Sequence, residues 1–186
     1  NRLLCEMHAI LLRSGRGASR QPGEFRKSQN WIGGSRPGNA VIVPPPPDRI
    51  GPLMTELERF LYGQPVDVSP LLKAGLAHVQ FETIHPFLDG NGRVGRLLIT
   101  LLLCAERVLS QPFLYLSLYF KQNRADYYGA LQRVRTHGDW EGWLGFYLVG
   151  VEEVATQATE TGRALLALEV GGRDRRQVLE AEELGF

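Results

Sequence analysis

The hydrophobic and polar positions along the chain repeat mostly with the period of an α-helix. Apolar residues spaced by three and four mark the buried faces of amphipathic helices, and capping residues mark where several of them start. Helices are predicted at residues 3–12, from Pro70 to about Ile84 and from about Asn91 to Leu109. Three further helices are predicted to begin near Pro52, after Asn123 and after Asp139. The pattern therefore predicts a mainly α-helical fold.

Residues 25–43 depart from this period. The stretches "EFRKSQNWIGG" and "NAVIV" have the composition of two short β-strands, and Ser35-Arg36-Pro37-Gly38 between them is turn material. Four consecutive prolines then continue the chain in an extended segment. The sequence thus predicts one β-hairpin within the helical fold, at about residues 25–43.

The chain has 186 residues with 44% hydrophobic content, which is enough for one sizeable core and favours a single domain. We expect the core to cover residues 1–170, and residues 171–186, which contain "GGRDRRQ", to begin a charged linker. Because the sequence begins with Asn1 and not with methionine, we expect a fragment whose flanking domains are missing. Contact with nucleic acid is expected only through such a domain.

Charge and cysteine content narrow the class of protein. Charged residues make up 22% and the net charge is +1, and neither value indicates a disordered chain, a coiled coil or a polyanion-binding protein. Cys5 and Cys104 both fall in apolar helical patterns, which favours two buried thiols in a reducing cytoplasm over a disulfide or zinc framework. The longest apolar run, residues 97–105, is far shorter than the ~20 residues of a membrane span, so no membrane association is predicted.

The most polar and flexible stretch, "FETIHPFLDGNGRVGR", lies between two apolar helices. Gly90 and Gly92 let the backbone adopt positive φ, so that successive N–H groups can face one concavity at the start of a helix. The partial positive charge of the helix N-terminus lies at the same place. Arg93 and Arg96, three residues apart, share a face of that helix. Together these features predict a site for a di- or triphosphate.

Two further residues suggest what the phosphate site does. The Asp89 carboxylate would repel phosphates unless a hard cation lay between them, and Mg²⁺ held by one carboxylate and phosphate oxygens fits this position. His85, with an ordinary pKa near neutrality, is suited to take a proton from an incoming hydroxyl. The residues therefore suggest group transfer from a nucleotide to a hydroxyl.

Each of these residues alone has an ordinary structural explanation, and it is their order and spacing that favour a functional site. His78 lies seven residues before His85 on the same helix face, and we interpret it as structural. Tyr127 and Tyr128 are adjacent, so at most one of them faces the core, and a packing role for the pair stays open.

The stretch "HPFLDGNGRVGR" resembles the core motif of the Fic family, H-x-F-x-[D/E]-G-N-G-R-x-x-R, without departures. "GEFRKSQNWIGG" resembles the flap hairpin of that family, and "NRADYYGALQRV" followed by "GDW" resembles its nucleotide-side helix. The resemblance covers most of the chain. It implies a Fic fold, a helical bundle around a central helix-loop-helix with one β-hairpin flap.

The resemblance also implies an activity, the transfer of AMP from ATP, as co-substrate, to a Ser, Thr or Tyr hydroxyl of a target protein, or of the enzyme itself. It implies His85 as the general base, Asp89 as the Mg²⁺ ligand, and Arg93 and Arg96 as the residues that fix the outer phosphates. Phe87 would point into the core. The residues implied to bind the nucleotide are Asn30, Trp31, Ile32, Gly33, Gly90, Asn91, Gly92, Arg93, Arg96, Tyr127, Tyr128 and Leu131. Arg135 stands where some relatives carry Asn, so a contact there is in doubt.

The expected partners also follow from the resemblance. The target protein would bind along the flap by strand addition. An inhibitory helix, from a missing N-terminal segment or a separate antitoxin, would dock a Glu on Arg96. "TQATET" at 156–161 matches that helix's pattern only in part, since Thr161 replaces Gly or Asn.

The sequence leaves other functions open. Removal of AMP, or transfer of another phosphate-containing group, could use the same residues. A nucleotide-sensing regulatory module is an alternative from another class. A metal nuclease is disfavoured, because it would need more ligands near His85 than Asp89 provides.

Overall fold

The computed structural model describes residues 1–63 and 68–183, with side chains through residue 168. Within these ranges the chain forms seven α-helices and one short 3₁₀ turn, Pro37–Asn39, so the predicted mainly α fold is confirmed. The helices are α1 Arg2–Leu11, α2 Pro47–Tyr62, α3 Pro70–Ile84, α4 Asn91–Ala105, α5 Leu116–Gln122, α6 Arg124–His137 and α7 Trp140–Glu183.

Helices α3 and α4 form the centre of the molecule. Helix α3 is apolar on nearly all sides, and such a helix is stable only when other elements surround it. One face of the α3–α4 pair packs with α1 and α2, where the buried residues include Met54 and Leu57. The other packs with α5, α6 and α7 around Trp143 and Tyr147. The α3–α4 pair is therefore held between two hydrophobic clusters, and the loop that joins these helices reaches one of them through Phe87.

The predicted hairpin is not confirmed, because the described residues contain no β-strand. Only one antiparallel bridge, Ile32 with Ile42, joins the two segments. Gly33 and Gly34 both have positive φ, which ends the extended conformation directly after Ile32. The Asn39 side chain then accepts hydrogen bonds from two backbone N–H groups and shapes a loop in place of a ladder. Residues 25–43, called the flap below, are thus a loop closed by one bridge.

Several helix boundaries differ from the sequence prediction. Helix α2 begins at Pro47, five residues before the expected start, because proline is accommodated in a first helical turn. Helix α4 ends at Ala105 and not near Leu109, since Arg107 adopts a left-handed conformation. Helix α3 begins after Ser69 and ends at Ile84, as predicted.

The start of α7 confirms one predicted cap and that of α6 corrects another. Asp139 accepts a hydrogen bond of 3.0 Å from the Gly142 N–H at the start of α7. Asn123 precedes α6 as expected, but its side chain donates to the Tyr119 carbonyl oxygen and does not cap the helix. Helix α7 continues without a break through residue 171, and the division into a core and a linker stays a prediction.

The state of the two cysteines and the length of the helices bear on the expected cellular compartment and on membrane association. Cys5 and Cys104 are free thiols, and both are half-buried where the sequence predicted full burial. None of the helices in the described ranges is both long enough and apolar enough to cross a membrane.

Candidate active site

The loop between α3 and α4 has an unusual backbone conformation at both ends. His85, the residue that ends α3, adopts φ 51° and ψ 60°, a left-handed conformation uncommon outside glycine. Gly90, which precedes α4, has φ 83°, and a Cβ at this position would stand 2.8 Å from the Leu12 side chain. The conformation at His85 turns the chain out of α3, so neighbouring segments must hold the loop in place.

The Asn91 side chain closes the loop from within. Its Oδ1 accepts a hydrogen bond from the Phe87 N–H and its Nδ2 donates to the Phe87 carbonyl oxygen, both at 2.8 Å. The residue is buried. Asn91 therefore positions the loop through its side chain. At the start of α4 the Asn91 and Gly92 N–H groups precede the first helical hydrogen bonds and remain suited to an anion.

His8 on α1 supports the loop from the other side, a role that the sequence analysis missed. The Gly23 N–H donates to its Nδ1 at 2.8 Å, so Nε2 carries the proton and donates to the Asp89 carbonyl oxygen at 2.9 Å. Its ring stacks on Phe87, with centroids 3.8 Å apart, and this places Phe87 in the core as expected. Burial lowers the pKa of His8, which favours the neutral ring that these contacts require. The only signal in the sequence was a histidine within an amphipathic helix.

Arg26 ties the flap to the loop, and it too was missed. Its guanidinium is buried and donates to the carbonyl oxygens of His85, Ser28 and Pro45. The Arg26 backbone N–H donates to the Pro86 carbonyl oxygen at 2.8 Å. One buried arginine thereby fixes the flap beside the residue that ends α3.

The predicted flap residues lie beside this anchor. Asn30 donates from Nδ2 to the Phe87 carbonyl oxygen at 3.2 Å, while its Oδ1 is buried without a hydrogen-bond partner in the described part of the chain. Trp31 is exposed, Ile32 forms the bridge, and Gly33 has positive φ. The structure brings Asn30 to the loop and leaves Trp31 facing solvent.

Asp89 lies at the edge of the α4 N-terminus, between two arginines. Its Oδ1 accepts a hydrogen bond of 2.6 Å from the Gly90 N–H. The Arg93 Nη2 lies 4.0 Å from Oδ1, and the Arg16 Nε lies 3.7 Å from Oδ2. Arg16 was not predicted as part of the site. Asp89 is thus fixed by the backbone on one side and faces cationic groups on the other.

Arg96 extends along the other side of the same helical turn. Its Nε donates to the Ser117 Oγ on α5 at 3.2 Å. Its Nη1 lies 3.1 Å from the place that a Cβ on Gly92 would occupy, so the guanidinium covers the first turn of α4. The two arginines, expected on one helix face, therefore extend to different neighbours: Arg93 toward Arg16 and Asp89, and Arg96 toward Ser117.

Asp89 is the residue that could hold a magnesium ion. The described residues contain no group of three or more His, Cys, Asp or Glu side chains arranged as metal ligands. A single, partly exposed carboxylate nevertheless fits Mg²⁺, which often takes one or two protein ligands and completes its shell with phosphate oxygens and water. The donor set fits an ion that arrives with a nucleotide.

His85 is more buried than the sequence suggested. Its side chain is 17% exposed, and its Nδ1 is buried without a hydrogen-bond partner among the described residues. Burial is the main cause that lowers its pKa to about 4, and the nearby Glu82 carbonyl partly opposes this while Arg135 and Arg26 lower it further. The expectation of a pKa near neutrality is thus corrected. His85 is neutral at pH 7, the form that can accept a proton.

Of the three α6 residues that the resemblance implied to bind the nucleotide, Tyr127, Tyr128 and Leu131, only Tyr128 faces solvent, with 50% of its surface exposed. Tyr127 is buried, and its hydroxyl forms a hydrogen bond of 2.9 Å with the His78 Nε2. Leu131 is also buried in the core. The expectation that at most one tyrosine of the pair faces the core is confirmed, and in this structure Tyr127 and Leu131 pack in the interior.

Two other residues join helices around the site. His78 bonds the Gly95 carbonyl oxygen through Nδ1 at 2.8 Å, so its interpretation as structural is confirmed. Arg135 on α6 donates to the Thr83 Oγ1 and to the Glu82 carbonyl oxygen. Arg135 therefore links α6 to the last turn of α3.

A sequence model of the Fic/DOC family matches residues 1–103, more than half of the chain. Among curated relatives, the chain is 36% identical over 125 residues to a protein adenylyltransferase Fic of Drosophila erecta and 38% identical over 125 residues to one of Aedes aegypti. Each match covers 67% of this chain and 22% of the relative. The chain thus spans about a fifth of the length of these relatives.

Solved structures give the same result. A Fic family protein from Desulfovibrio desulfuricans G20 has a TM-score of 0.72 at 30% identity, and the match covers 86% of this chain and 46% of that one. Fic-1 (residues 134–508) from C. elegans has a TM-score of 0.64 at 22% identity, covering 88% of this chain and 44% of that one, and shows the fold alone. This chain belongs to the Fic/DOC family and has the Fic fold.

Proposed function

We propose that this protein transfers AMP from ATP to a Ser, Thr or Tyr hydroxyl of a protein. The observation that supports it is the loop between α3 and α4, in which His85 and Asp89 precede the N-terminus of α4. Arg93 lies beside Asp89, and Arg96 lies beside Gly92. The family membership supports the proposal, because the relatives cited above are named adenylyltransferases.

Each residue of the site has a separate role in the proposed reaction. Neutral His85 takes the proton of the acceptor hydroxyl, whose oxygen then bonds to the α-phosphorus while the bond to pyrophosphate breaks. The Asn91 and Gly92 N–H groups face the charge that develops on the α-phosphate. Arg93 and Arg96 hold the outer phosphates and thereby align the α-phosphate for attack.

Magnesium has a defined place in this proposal. Asp89 would hold the ion, which when bound neutralises phosphate charge and so favours departure of pyrophosphate. The Gly90 N–H fixes one carboxylate oxygen, so the other, Oδ2, faces outward to Arg16. Asp89→Ala should remove the dependence of nucleotide binding on Mg²⁺, and an unchanged metal titration would place the metal elsewhere.

We infer that the target protein binds along the flap. Arg26 fixes the flap beside His85, and the flap has only one bridge among its described residues, so much of its backbone is outside any ladder. An extended segment of a target could use these backbone groups by strand addition. We further propose that an inhibitory helix docks a Glu on Arg96. We also propose that the protein is located in the cytoplasm, where its two free thiols stay reduced.

The test uses ATP labelled at the α- or the γ-phosphate, incubated with the protein and a lysate. AMP transfer retains the α label on protein, whereas kinase-like transfer retains only the γ label. His85→Ala should abolish transfer and leave ATP affinity largely unchanged, because a general base acts in the transition state. Release of AMP from an AMP-modified protein, with no forward transfer, would identify the reverse activity. ATP binding without turnover would identify a nucleotide sensor.

A further inference from the structure

Glu82, in the last turn of α3, is a buried carboxylic acid that the proposed reaction does not use. Its side chain is 8% exposed, and its Oε1 makes no hydrogen bond in the described part of the chain. Leaving a buried polar group without a partner destabilises the folded chain. A site that keeps such a group next to its reactive residues suggests a purpose beyond packing.

Helix α4 leaves space for this carboxyl group. A Cβ on Gly95 would stand 2.5 Å from the Glu82 Oε1, so any other residue there would displace the side chain. A Cβ on Gly92 would stand 3.9 Å from the same oxygen. The Glu82 carboxyl group therefore lies behind the first turn of α4, on the inner side of the phosphate site.

His85 is the residue whose side chain can form a hydrogen bond with the Glu82 carboxyl group. The Glu82 Oε2 lies 3.9 Å from the His85 Nδ1, which is itself buried and has no hydrogen-bond partner among residues 1–63 and 68–168. Arg96 donates to Ser117, and Arg135 donates to Thr83 and to the Glu82 backbone carbonyl. Neither guanidinium forms an ion pair with the Glu82 carboxyl group within the described residues. A movement of about 1 Å would bring the two unpartnered groups to hydrogen-bond distance.

We propose that Glu82 is a positioning residue for His85: its carboxylate accepts a hydrogen bond from Nδ1–H and leaves Nε2 free to take the hydroxyl proton. This inference rests on the proposed function, in which His85 is the base. When Nε2 takes the proton, the ring becomes a cation whose Nδ1–H faces the Glu82 carboxylate. The acceptor oxygen meanwhile bonds to the α-phosphorus, and pyrophosphate departs with the electron pair of the broken bond. The base is thus oriented and stabilised by a third group.

The charges around Glu82 are consistent with this role. Burial raises the pKa of Glu82 to about 7, and Arg96 and Arg135 oppose the rise. Tyr127 on α6 also faces this carboxyl group, but burial raises its pKa well above the ordinary value, so it stays neutral. Near pH 8 Glu82 is ionised and accepts from Nδ1–H. Near pH 6 it is protonated and can donate to Nδ1, which moves the ring proton to Nε2 and blocks the base.

Other groups near the pair fix the remaining charges. His78, one turn earlier on α3, is neutral, since burial lowers its pKa to about 4. Arg26 from the flap and Asp89 from the loop act on the pKa of His85 in opposite directions. Glu82 is therefore the group beside Nδ1 that changes charge near neutral pH.

The first experiment reads the tautomer of His85 in the wild-type protein by ¹⁵N NMR of the imidazole between pH 6 and pH 8. His85→Gln assigns the signals. We expect the Nδ1–H tautomer at pH 8 and a shift toward Nε2–H at pH 6, before any protonation of the ring. A ring that is in the Nε2–H tautomer at pH 8 overturns the inference, because Nε2 would then already carry a proton. The readout needs neither turnover nor a variant of Glu82, so it decides the inference even if the protein transfers no AMP.

The second experiment compares Glu82→Gln with the wild type in AMP transfer. We expect kcat to fall about 10- to 100-fold, a part of the usual general-base contribution, with the KM for ATP changed less than twofold. The decline of kcat below pH 7 should disappear, which a purely structural role would not cause. Glu56→Gln, at an exposed position on α2, is the matched control and should behave as wild type.

The outcomes separate the two proposals. A wild type without AMP transfer contradicts the proposed function, while the NMR titration still tests Glu82. An unchanged kcat and pH profile in Glu82→Gln means that the backbone carbonyl of residue 82 orients His85. If kcat and ATP affinity fall together in a folded variant, Glu82 acts on the phosphate site through Arg96 and the inference is wrong. Thermal melting of each variant establishes that it is folded.

Discussion

The His8 Nε2 donates a hydrogen bond to the Asp89 carbonyl oxygen across 81 residues of sequence, at 2.9 Å. The contact joins the first helix of the chain to the residue that we propose as the metal ligand. Because the same imidazole stacks on Phe87 and accepts from the Gly23 N–H, it holds three separate segments in one arrangement. The geometry of the loop therefore depends on a residue far outside the motif.

Replacement of His8 by Phe should loosen the loop without removing the stacked ring. The Asp89 carbonyl oxygen and the Gly23 N–H would each lose a partner, and we expect a loss of about 1–3 kcal/mol in the free energy of unfolding for each that stays buried. Urea denaturation measures this loss, and AMP transfer should fall with it. Ile10→Ala, at an exposed position on the same helix, is the control. Equal stability of His8→Phe and wild type would show that these two hydrogen bonds contribute little.

Stability should fall on acidification because of buried neutral histidines. Burial lowers the pKa of His78 from 6.5 to about 4. A histidine with a lower pKa in the folded chain takes up its proton on unfolding, so its contribution is complete above pH 6.5 and is lost as the pH falls toward 4. The loss from His78 is roughly 3 kcal/mol.

The measurement is urea denaturation at several pH values on wild type and His78→Gln. The variant should lose less stability than wild type between pH 6.5 and 4. Glu82 acts in the opposite direction, since its raised pKa lowers stability as the pH rises from 4.5 to 7. Because both proteins contain Glu82, its effect cancels when the stability of the variant is subtracted from that of the wild type at each pH. Parallel curves for the two proteins would contradict a neutral His78.

Arg96→Ala should weaken ATP more than ADP. In the proposed reaction the α4 N-terminus and Asp89 would serve the inner phosphates, which leaves Arg96 for the γ-phosphate. A bidentate arginine contact with phosphate contributes about 1.5–3 kcal/mol, so the preference for ATP should fall about ten- to a hundred-fold. Calorimetric titration of both nucleotides measures it. Ser117→Ala removes only the bond to Nε and should have a smaller effect. Equal losses for ATP and ADP would make Arg96 a structural residue.

Two proline substitutions should separate the flap's shape from its backbone contacts. The Ile32 N–H donates to the Ile42 carbonyl oxygen at 2.9 Å, so Ile32→Pro breaks the bridge itself. Trp31→Pro leaves that bond in place and removes a neighbouring donor. If targets bind by strand addition, Trp31→Pro should lower target modification and leave ATP affinity unchanged. Equal losses in both would mean that the flap serves only the nucleotide.

The sequence determined the features that depend on neighbours along the chain. Ser69-Pro70 and Asp139 marked two helix starts correctly. The fixed φ of Pro70 suits a first helical position, and the Asp139 side chain accepts from an N–H group three residues later. The order of residues in 85–96 predicted a turn that leads into a helix N-terminus with two arginines beside it, and the structure has this arrangement. These signals are local and can be read without knowing what packs against them.

Tertiary structure alone decided which residues support the site. His8 and Arg26 bond the loop across 81 and 59 residues, and no period or spacing in the sequence records the carbonyl groups that they find. The flap lacked a ladder because strand composition does not guarantee a paired register. The burial of Glu82 depends on Gly95 of α4, a distant residue that leaves space for the carboxyl group. A hydrophobic pattern shows which face of a helix is buried, but the partner of each polar group depends on how distant segments pack.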